Sequence, residues 1–354
     1  MGWHFHERSR LHPLCWPGPH RRSRLQFRAQ HSPVQRDAPW NKGKEACGEE
    51  LLLEDLAVAA DRIASDEDLP EAWRQFFVSG SSLGGARPKA SCRINGIAHL
   101  AKFQHPRDPW HACRAEAACM ALAADCGIAT ARAFCLSMLN GSRDILLVRR
   151  FDRKLCGGVE WRIPFASEMT LCDLPEQAPN GSYQDMAQAT SMPFYDASYA
   201  EKDRIEIFRR MCFNALVGNC DDHVRNHGFL LGPGGWRLSP AYDVAPFLPP
   251  AGLLSSQRMG RLGKAMTREN ILSATEVFGL NREEAGAIFS RMAAHVASNW
   301  EDAFLRHGMA QSELTLLAQC FSLAMQEGRS APALQASLHP LPAPAPATGQ
   351  VGMD

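Results

Sequence analysis

Apolar positions recur at helical spacing in "EELLLEDLAVAADRIA", residues 49–64, and predict a helix there. "SGSSLGGARPKAS" follows, a Gly-rich loop with no hydrophobic period. "IAHLAKF" alternates as a strand would, and "WHACRAEAACMALAADCGI" returns to helical spacing and is closed by Gly127. "DILLVRRFD" reads as a second strand, and residues 200–218 as a helix ending at Gly218. The last third is helical: Asn281 and Glu284 suit a capping box, and Ile288, Met292, Val296 and Trp300 repeat every four residues. Short strands and a Gly-rich loop therefore come first, and helices later.

The flanks break this pattern. Residues 1–46 are rich in Arg, His, Pro and Trp without periodicity, and read as disordered or as sequence outside the folded unit. The tail 330–354, with "PLPAPAPA", has too little to bury. The folded unit divides into an N-lobe over residues 47–150 and a C-lobe over 151–329. Composition changes this picture little. Apolar residues at 45% and charged residues at 21% suit a globular protein, and zero net charge gives no global pull toward nucleic acid or anionic membrane. The longest apolar run is interrupted by Asp125, so no membrane span is expected, and nothing at the N-terminus resembles a secretory signal. Twelve cysteines without a CxxC pair read as reduced, buried thiols of a cytoplasmic protein.

The chemistry concentrates in "NCDDHVRNHGFLLGPGGWRLSPAYDV", residues 219–244. A phosphoryl-transfer site needs one carboxylate to orient or deprotonate a hydroxyl, and two oxygen ligands to hold magnesium on the phosphates. In protein kinases the catalytic Asp precedes the metal-binding Asn by five positions. Asp221 and Asn226 have that spacing, and Asp222 does not. Asp243 lies 22 residues beyond Asp221, after a "GPGG" turn and a short strand, where a second metal carboxylate belongs. A helix cap is the plain reading of Asp221 and Asp222, but it leaves Asn226 and Asp243 unexplained. His223 and His227 are spaced for zinc, yet there is no HExxH and the acids fit magnesium better. Upstream, Lys89 ends the Gly-rich loop, Lys102 lies on the next strand, and Glu116, on the helix after it, is placed to pair with Lys102. "LLVRRFD" then suits a hinge whose backbone reads adenine.

"SSLGGARPK", "AKF", "RRFDR", "FNALVGNCDDHVRNHGFL" and "WRLSPAYDV" occur together and in order. The chain resembles the HipA family, serine/threonine-kinase toxins of bacterial toxin–antitoxin systems, over residues 47–329. The resemblance implies an α+β, two-lobed protein-kinase-like fold, with a small β-containing N-lobe and a larger, mostly helical C-lobe, using ATP and Mg2+. It implies that Asp221 is catalytic and that Asn226 and Asp243 hold metal. ATP would be bound by Gly84, Gly85, Ala86, Arg87, Pro88, Lys89, Lys102, Arg149, Arg150, Phe151, His223 and Tyr242. Ser82 matches the serine that the family autophosphorylates to silence itself. The implied partners are a helix-turn-helix, DNA-binding antitoxin, with DNA reached only through it, and a protein substrate such as an aminoacyl-tRNA synthetase. Two departures accompany the match: Arg149 stands where the best-known member has an acid, and the N-terminal subdomain that contacts the antitoxin is not recognisable. A truncated or inactive member, acting only as a binding protein, is the alternative reading.

Overall fold

The computed structural model describes residues 49–65, 67–68, 88–105, 107–138, 143–156, 159–176, 180–248 and 252–329. The first helix, α1 (Glu49–Ala64), is followed by β1 (Lys89–Ile94) and β2 (Ile97–Phe103), then by α2 (Ala112–Asp125), β3 (Ala133–Met138) and β4 (Arg143–Arg149). The four strands form one antiparallel sheet in the order β1-β2-β4-β3. Side chains alternate across it, as period-2 geometry requires. Ile145 and Leu147 join Ala90, Cys92, Ala101 and Phe103 in a core under Leu56, Ala57 and Ala60 of α1. Leu146 and Val148 fall on the other face, in a core with α2 that contains Cys113, Met120 and Leu122.

In β1 and β2 the register sets Lys89 directly opposite Lys102. Two like charges at paired positions repel unless something between them compensates, and that compensation belongs to the site described below. Lys89 therefore opens a strand and does not merely end the Gly-rich loop.

Beyond residue 150 the chain is not simply helical. β5 (Arg153–Cys156) pairs with β6 (Val159–Arg162), and β7 (Phe165–Ser167) runs directly into the short helix α3 (Glu168–Leu171). α4 (Tyr183–Ala189) and α5 (Ala200–Leu216) lead to the Asp-rich loop, after which β8 (Gly228–Gly232) and β9 (Gly235–Leu238) complete the antiparallel sheet β7-β8-β9. Helices then take over with α6 (Arg268–Ile271), α7 (Arg282–Arg306), α8 (Gln311–Leu317) and α9 (Ser322–Arg329). The Asn281–Glu284 capping box forms. Ile288, Met292, Val296 and Trp300 are all buried, and Trp300 stacks on Phe321 at 4.3 Å between centroids.

Gly218 ends α5 as the sequence suggests. Its φ is 64°, and a Cβ there would lie 2.5 Å from the Cys320 carbonyl, so only glycine fits. The sharp exit aims residues 219–227 back across the end of α5. Among the described residues the cysteines are free, and most are buried, with Cys156 exposed. None of the described helices is long and apolar enough to cross a membrane.

Candidate active site

The strand β2 delivers Lys102 and the helix α2 delivers Glu116, and both are buried. Lys102 Nζ donates to Glu116 Oε1 at 2.6 Å and to Asp243 Oδ1 at 2.8 Å. Lys89 Nζ reaches Asp243 Oδ2 at 3.8 Å. One carboxylate thus bridges the two facing lysines of the β1–β2 ladder and offsets their repulsion. Burial works to lower the Lys102 ammonium, but Asp243 and Glu116 outweigh it and hold the group above its ordinary value. Burial likewise works to raise Asp243, yet Lys102 and Lys89 hold its carboxyl well below the usual carboxylate range. Glu116 shares the same ammonium on worse terms: burial, with Asp243 nearby, leaves its carboxyl raised in spite of Lys102. Burial lowers Lys89, against the pull of Asp243.

Asp243 is set in place by its backbone. Ala131 N donates to Ala241 O at 2.8 Å and Ala241 N to Ala129 O at 2.7 Å, which staples the segment after β9 beside the start of β3. Arg210 of α5 adds a hydrogen bond from Nη2 to Ser239 O at 2.7 Å. Tyr242 donates its hydroxyl to Arg225 O at 2.9 Å and packs its ring against Phe151 and Phe165. Asp243 itself has φ 59°, in the left-handed region.

Asp221 and Asn226 lie on the loop between α5 and β8. Asp221 is exposed and Asn226 is buried, and Asn226 Nδ2 donates to the Asp221 carbonyl at 3.2 Å. That bond closes the loop so that the two residues are held as a unit. Partial burial in the cleft pushes the Asp221 carboxyl up, the Asp243 and Asp222 charges act the same way, and His223 and Lys89 oppose them. His223 Nδ1 accepts from Arg225 N at 3.3 Å, a bond that turns its ring back onto the loop.

The donor types fit magnesium. Asn226 and Asp243 supply hard oxygens, one of them charged, and such a site normally completes its shell with phosphate oxygens and water. No cluster of three or more His, Cys, Asp or Glu residues that would suit a transition metal occurs among the described residues. His227 instead lies against Asp222, with Nε2 at 3.0 Å from Oδ1.

The structure therefore brings Lys89, Lys102, Glu116 and Asp243 into contact and holds Asp221 to Asn226. In the segment expected as the hinge, Arg149 N donates to Arg132 O at 2.8 Å and Arg150 N to Ala98 O at 2.9 Å, so these two amides are engaged within the fold. The Arg150 guanidinium is held by Asp152 at 2.7 and 2.5 Å. Pro88 is half-buried at the start of β1. Ser82, Gly84, Gly85, Ala86 and Arg87 lie outside the described residues.

Reading by sequence missed the layer beneath. Asp222, two per cent exposed, accepts a hydrogen bond from Tyr183 and another from Gln257 Nε2 at 3.2 Å. Burial works to raise its carboxyl, but His227 and these hydrogen bonds hold it below its ordinary value. Glu168 is fully buried nearby, and among the described residues neither carboxyl oxygen is met in good hydrogen-bond geometry. Burial, with the Asp222 charge adding to it, pushes Glu168 well above its ordinary value. The only sequence signal for this layer is the doubled acid itself: adjacent residues in an extended loop face opposite ways.

A family model described as HipA-like C-terminal domain matches residues 81–300, which spans both lysines, the Asp-rich loop and Asp243. The chain belongs to the HipA family. Solved structures share its fold, among them a HipA and a kinase. HipA of Shewanella oneidensis MR-1, solved in complex with HipB and its operator DNA, superposes with TM-score 0.58 at 17% identity, covering 80% of this chain and 71% of that one. The Helicobacter pylori proinflammatory kinase CtkA gives TM-score 0.52 at 14% identity, covering 74% of this chain and 97% of that one. This HipA-family chain thus has the kinase-like fold that its motifs imply.

Proposed function

We propose that the protein is an ATP- and Mg2+-dependent serine/threonine protein kinase that acts as the toxin of a toxin–antitoxin system. The observation that carries this reading is the convergence of Lys102, Glu116 and Asp243, from a strand, a helix and a distant loop, beside the linked pair Asp221–Asn226. A buried arrangement of alternating charge is expensive to assemble without a use for it. ATP supplies the phosphoryl group, with Mg2+ offsetting its charge, when both are bound.

The residues divide the work. Asn226 and Asp243 would hold the metal, and Lys102 and Lys89 would meet phosphate oxygens, with Glu116 keeping Lys102 in place. Asp221 receives the hydrogen bond of the acceptor hydroxyl and takes its proton. Its raised carboxyl makes it a better base than an ordinary aspartate. Pro88 and the Gly84–Lys89 loop would close over the phosphates, and Ser82 on that loop would be the autophosphorylation site. A phosphate there adds roughly −1.5 to −2 charge, repelled by nucleotide phosphates, which would push the loop out and silence the enzyme.

The similar HipA crystallised with HipB and operator DNA supports a DNA-binding antitoxin as partner. By the family resemblance, the substrate would be a translation component such as an aminoacyl-tRNA synthetase. The test is incubation of the purified protein with labelled ATP and a bacterial lysate, followed by mass spectrometry of labelled peptides. Transfer to a serine or threonine of another protein, with slowed growth on expression and relief by Asp221→Asn, is the expected result. No transfer, with equal toxicity of both proteins, would favour the inactive, antitoxin-associated binding protein.

A further inference from the structure

The loop that carries Asp221 has little regular structure to hold it. Between α5 and β8 its internal backbone bonds are few, Asn219 N to Asn214 O at 2.8 Å, Cys220 N to Gly218 O at 2.9 Å and Asn226 N to His223 O at 2.8 Å, and two more tie it to α3, Met169 N to Val224 O at 3.3 Å and Glu168 N to His227 O at 2.9 Å. Side chains add further ties, and three of them meet at one carboxylate. Asp222 is bonded to Tyr183 of α4, to Gln257 of the segment that follows Asp243, and lies against His227 at the end of its own loop. These groups are far apart in sequence and nearly inaccessible: Tyr183 is 0%, Gln257 1% and His227 3% exposed.

The chain of hydrogen bonds behind Asp222 has a direction. Asn219 Nδ2 donates to Asn214 Oδ1 at 3.1 Å, Asn214 Nδ2 donates to the Tyr183 hydroxyl at 2.9 Å, and that hydroxyl donates to Asp222. An amide can face either way, and a hydroxyl can donate or accept, but an ionised carboxylate only accepts. The carboxylate at the end of the relay therefore fixes the orientation of every group before it, back to Asn219 at the root of the loop. A second tie runs alongside, since Ser256 Oγ donates to Cys220 O at 2.9 Å, next to Asp221.

We infer that Asp222 is a positioning residue. Its buried carboxylate, reached by Tyr183, Gln257 and His227, sets the geometry of Asp221 and Asn226 and locks their loop to the segment 252–257 that follows Asp243. This rests on the proposed phosphoryl transfer for its consequence, though not for its structural content. Asp222 touches no reacting atom. It acts through the backbone of the residue before it, and through the closed Asp221–Asn226 unit.

The experiment compares wild-type protein with Asp222→Asn, which keeps the shape but is able to donate, and with Gln257→Met, which removes one donor from the carboxylate. Full-length proteins without nucleotide are followed by hydrogen exchange and mass spectrometry, and then assayed with ATP and Mg2+. The expected result is faster exchange in residues 219–228 and 252–259 together, while α7 stays protected. In the assay, kcat falls roughly 10–100-fold, the scale of lost outer-shell support at metal sites, with the KM for ATP unchanged. Exchange that is unaltered in both segments, or that rises equally along the whole chain, would overturn the inference. So would loosened segments with undiminished kcat. If Asp222→Asn does not fold, Gln257→Met decides by the same two readings. A wild-type protein that transfers no phosphate would remove the proposed function, and the exchange pattern alone would then decide for or against Asp222.

Discussion

Asp221 is exposed at the mouth of the cleft with its carboxyl pushed up, whereas Asp222, the next residue, is buried with its carboxyl held down. The two side chains are chemically identical. Their surroundings differ in donors: Asp222 is met by a phenol, an amide and an imidazole, whereas Asp221 is raised by partial burial and by Asp243 and Asp222, with His223 and Lys89 opposing only in part. A charge with donors on every side is a fixed part of the scaffold. A charge partly buried beside like charges takes a proton more readily. In the proposed kinase, two identical groups would divide into structure and chemistry because environments push their proton affinities apart.

The sharpest way to break this comparison is to neutralise each in turn. Asp221→Asn is expected to lower kcat by roughly 10²–10⁴-fold, the worth of a positioned base, with ATP affinity nearly intact. Single-turnover transfer and nucleotide titration measure the two separately, and near-wild-type turnover would remove Asp221 from the chemistry.

Stability should respond in the opposite sense. A carboxyl held below its ordinary value of 3.8 stabilises the fold above that pH, and the contribution is lost as pH falls through the depressed folded value. Asp222→Asn is therefore expected to be about 2 kcal/mol less stable than wild type at neutral pH, the scale of a hydrogen bond to a charged group, with the gap closing in acid. Asp221 has its carboxyl raised, so its charge opposes folding at neutral pH, and Asp221→Asn should equal or exceed wild type there. Urea midpoints from pH 3 to 7 would show both signs. A loss of stability in Asp221→Asn at neutral pH would contradict the contrast.

Asp243→Asn tests the metal side. It removes the charge shared by the two lysines and, in the proposed site, by the cation, so Mg2+-dependent nucleotide binding should weaken by about 10-fold or more, at least the effect of lost outer-shell support. An unchanged magnesium titration would mean that Asp243 is not a ligand. The smallest effect belongs to Glu168. Its folded carboxyl is raised, so the unfolded chain releases the proton first, and wild-type stability declines with pH above the ordinary value of 4.5. Melting temperatures of Glu168→Gln and wild type should diverge in favour of the variant as pH rises from 4.5 to 8. Parallel curves would show that Glu168 is ionised in the fold.

Much of this arrangement is legible in the chain. α1, α2, α5 and α7 announce themselves by spacing and by Gly127, Gly218 and the Asn281 cap, since each buries one face and must stop somewhere. β1 is not legible, because "KASCRI" begins with a charge whose partner, Asp243, lies far along the chain. The short strands β5, β6 and β7 have too few residues to show a period. In the same way the spacing of Asp221, Asn226 and Asp243 is a local signal, while the support from Tyr183 and Gln257 is purely tertiary. Nothing around "SYQDM" or "SSQRM" marks either residue as a neighbour of Asp222.

The left-handed backbone of Asp243 limits what substitution can achieve there. Apart from glycine, only asparagine and aspartate adopt that conformation readily, and of these three only aspartate carries charge. A mutational library at position 243 should therefore contain no functional neighbour at all. Asp243→Glu, the charge-conserving choice by every similarity table, would combine a strained backbone with a carboxylate displaced by a methylene. The position is a dead end for sequence drift, reachable by one residue type and left only by losing either the turn or the charge.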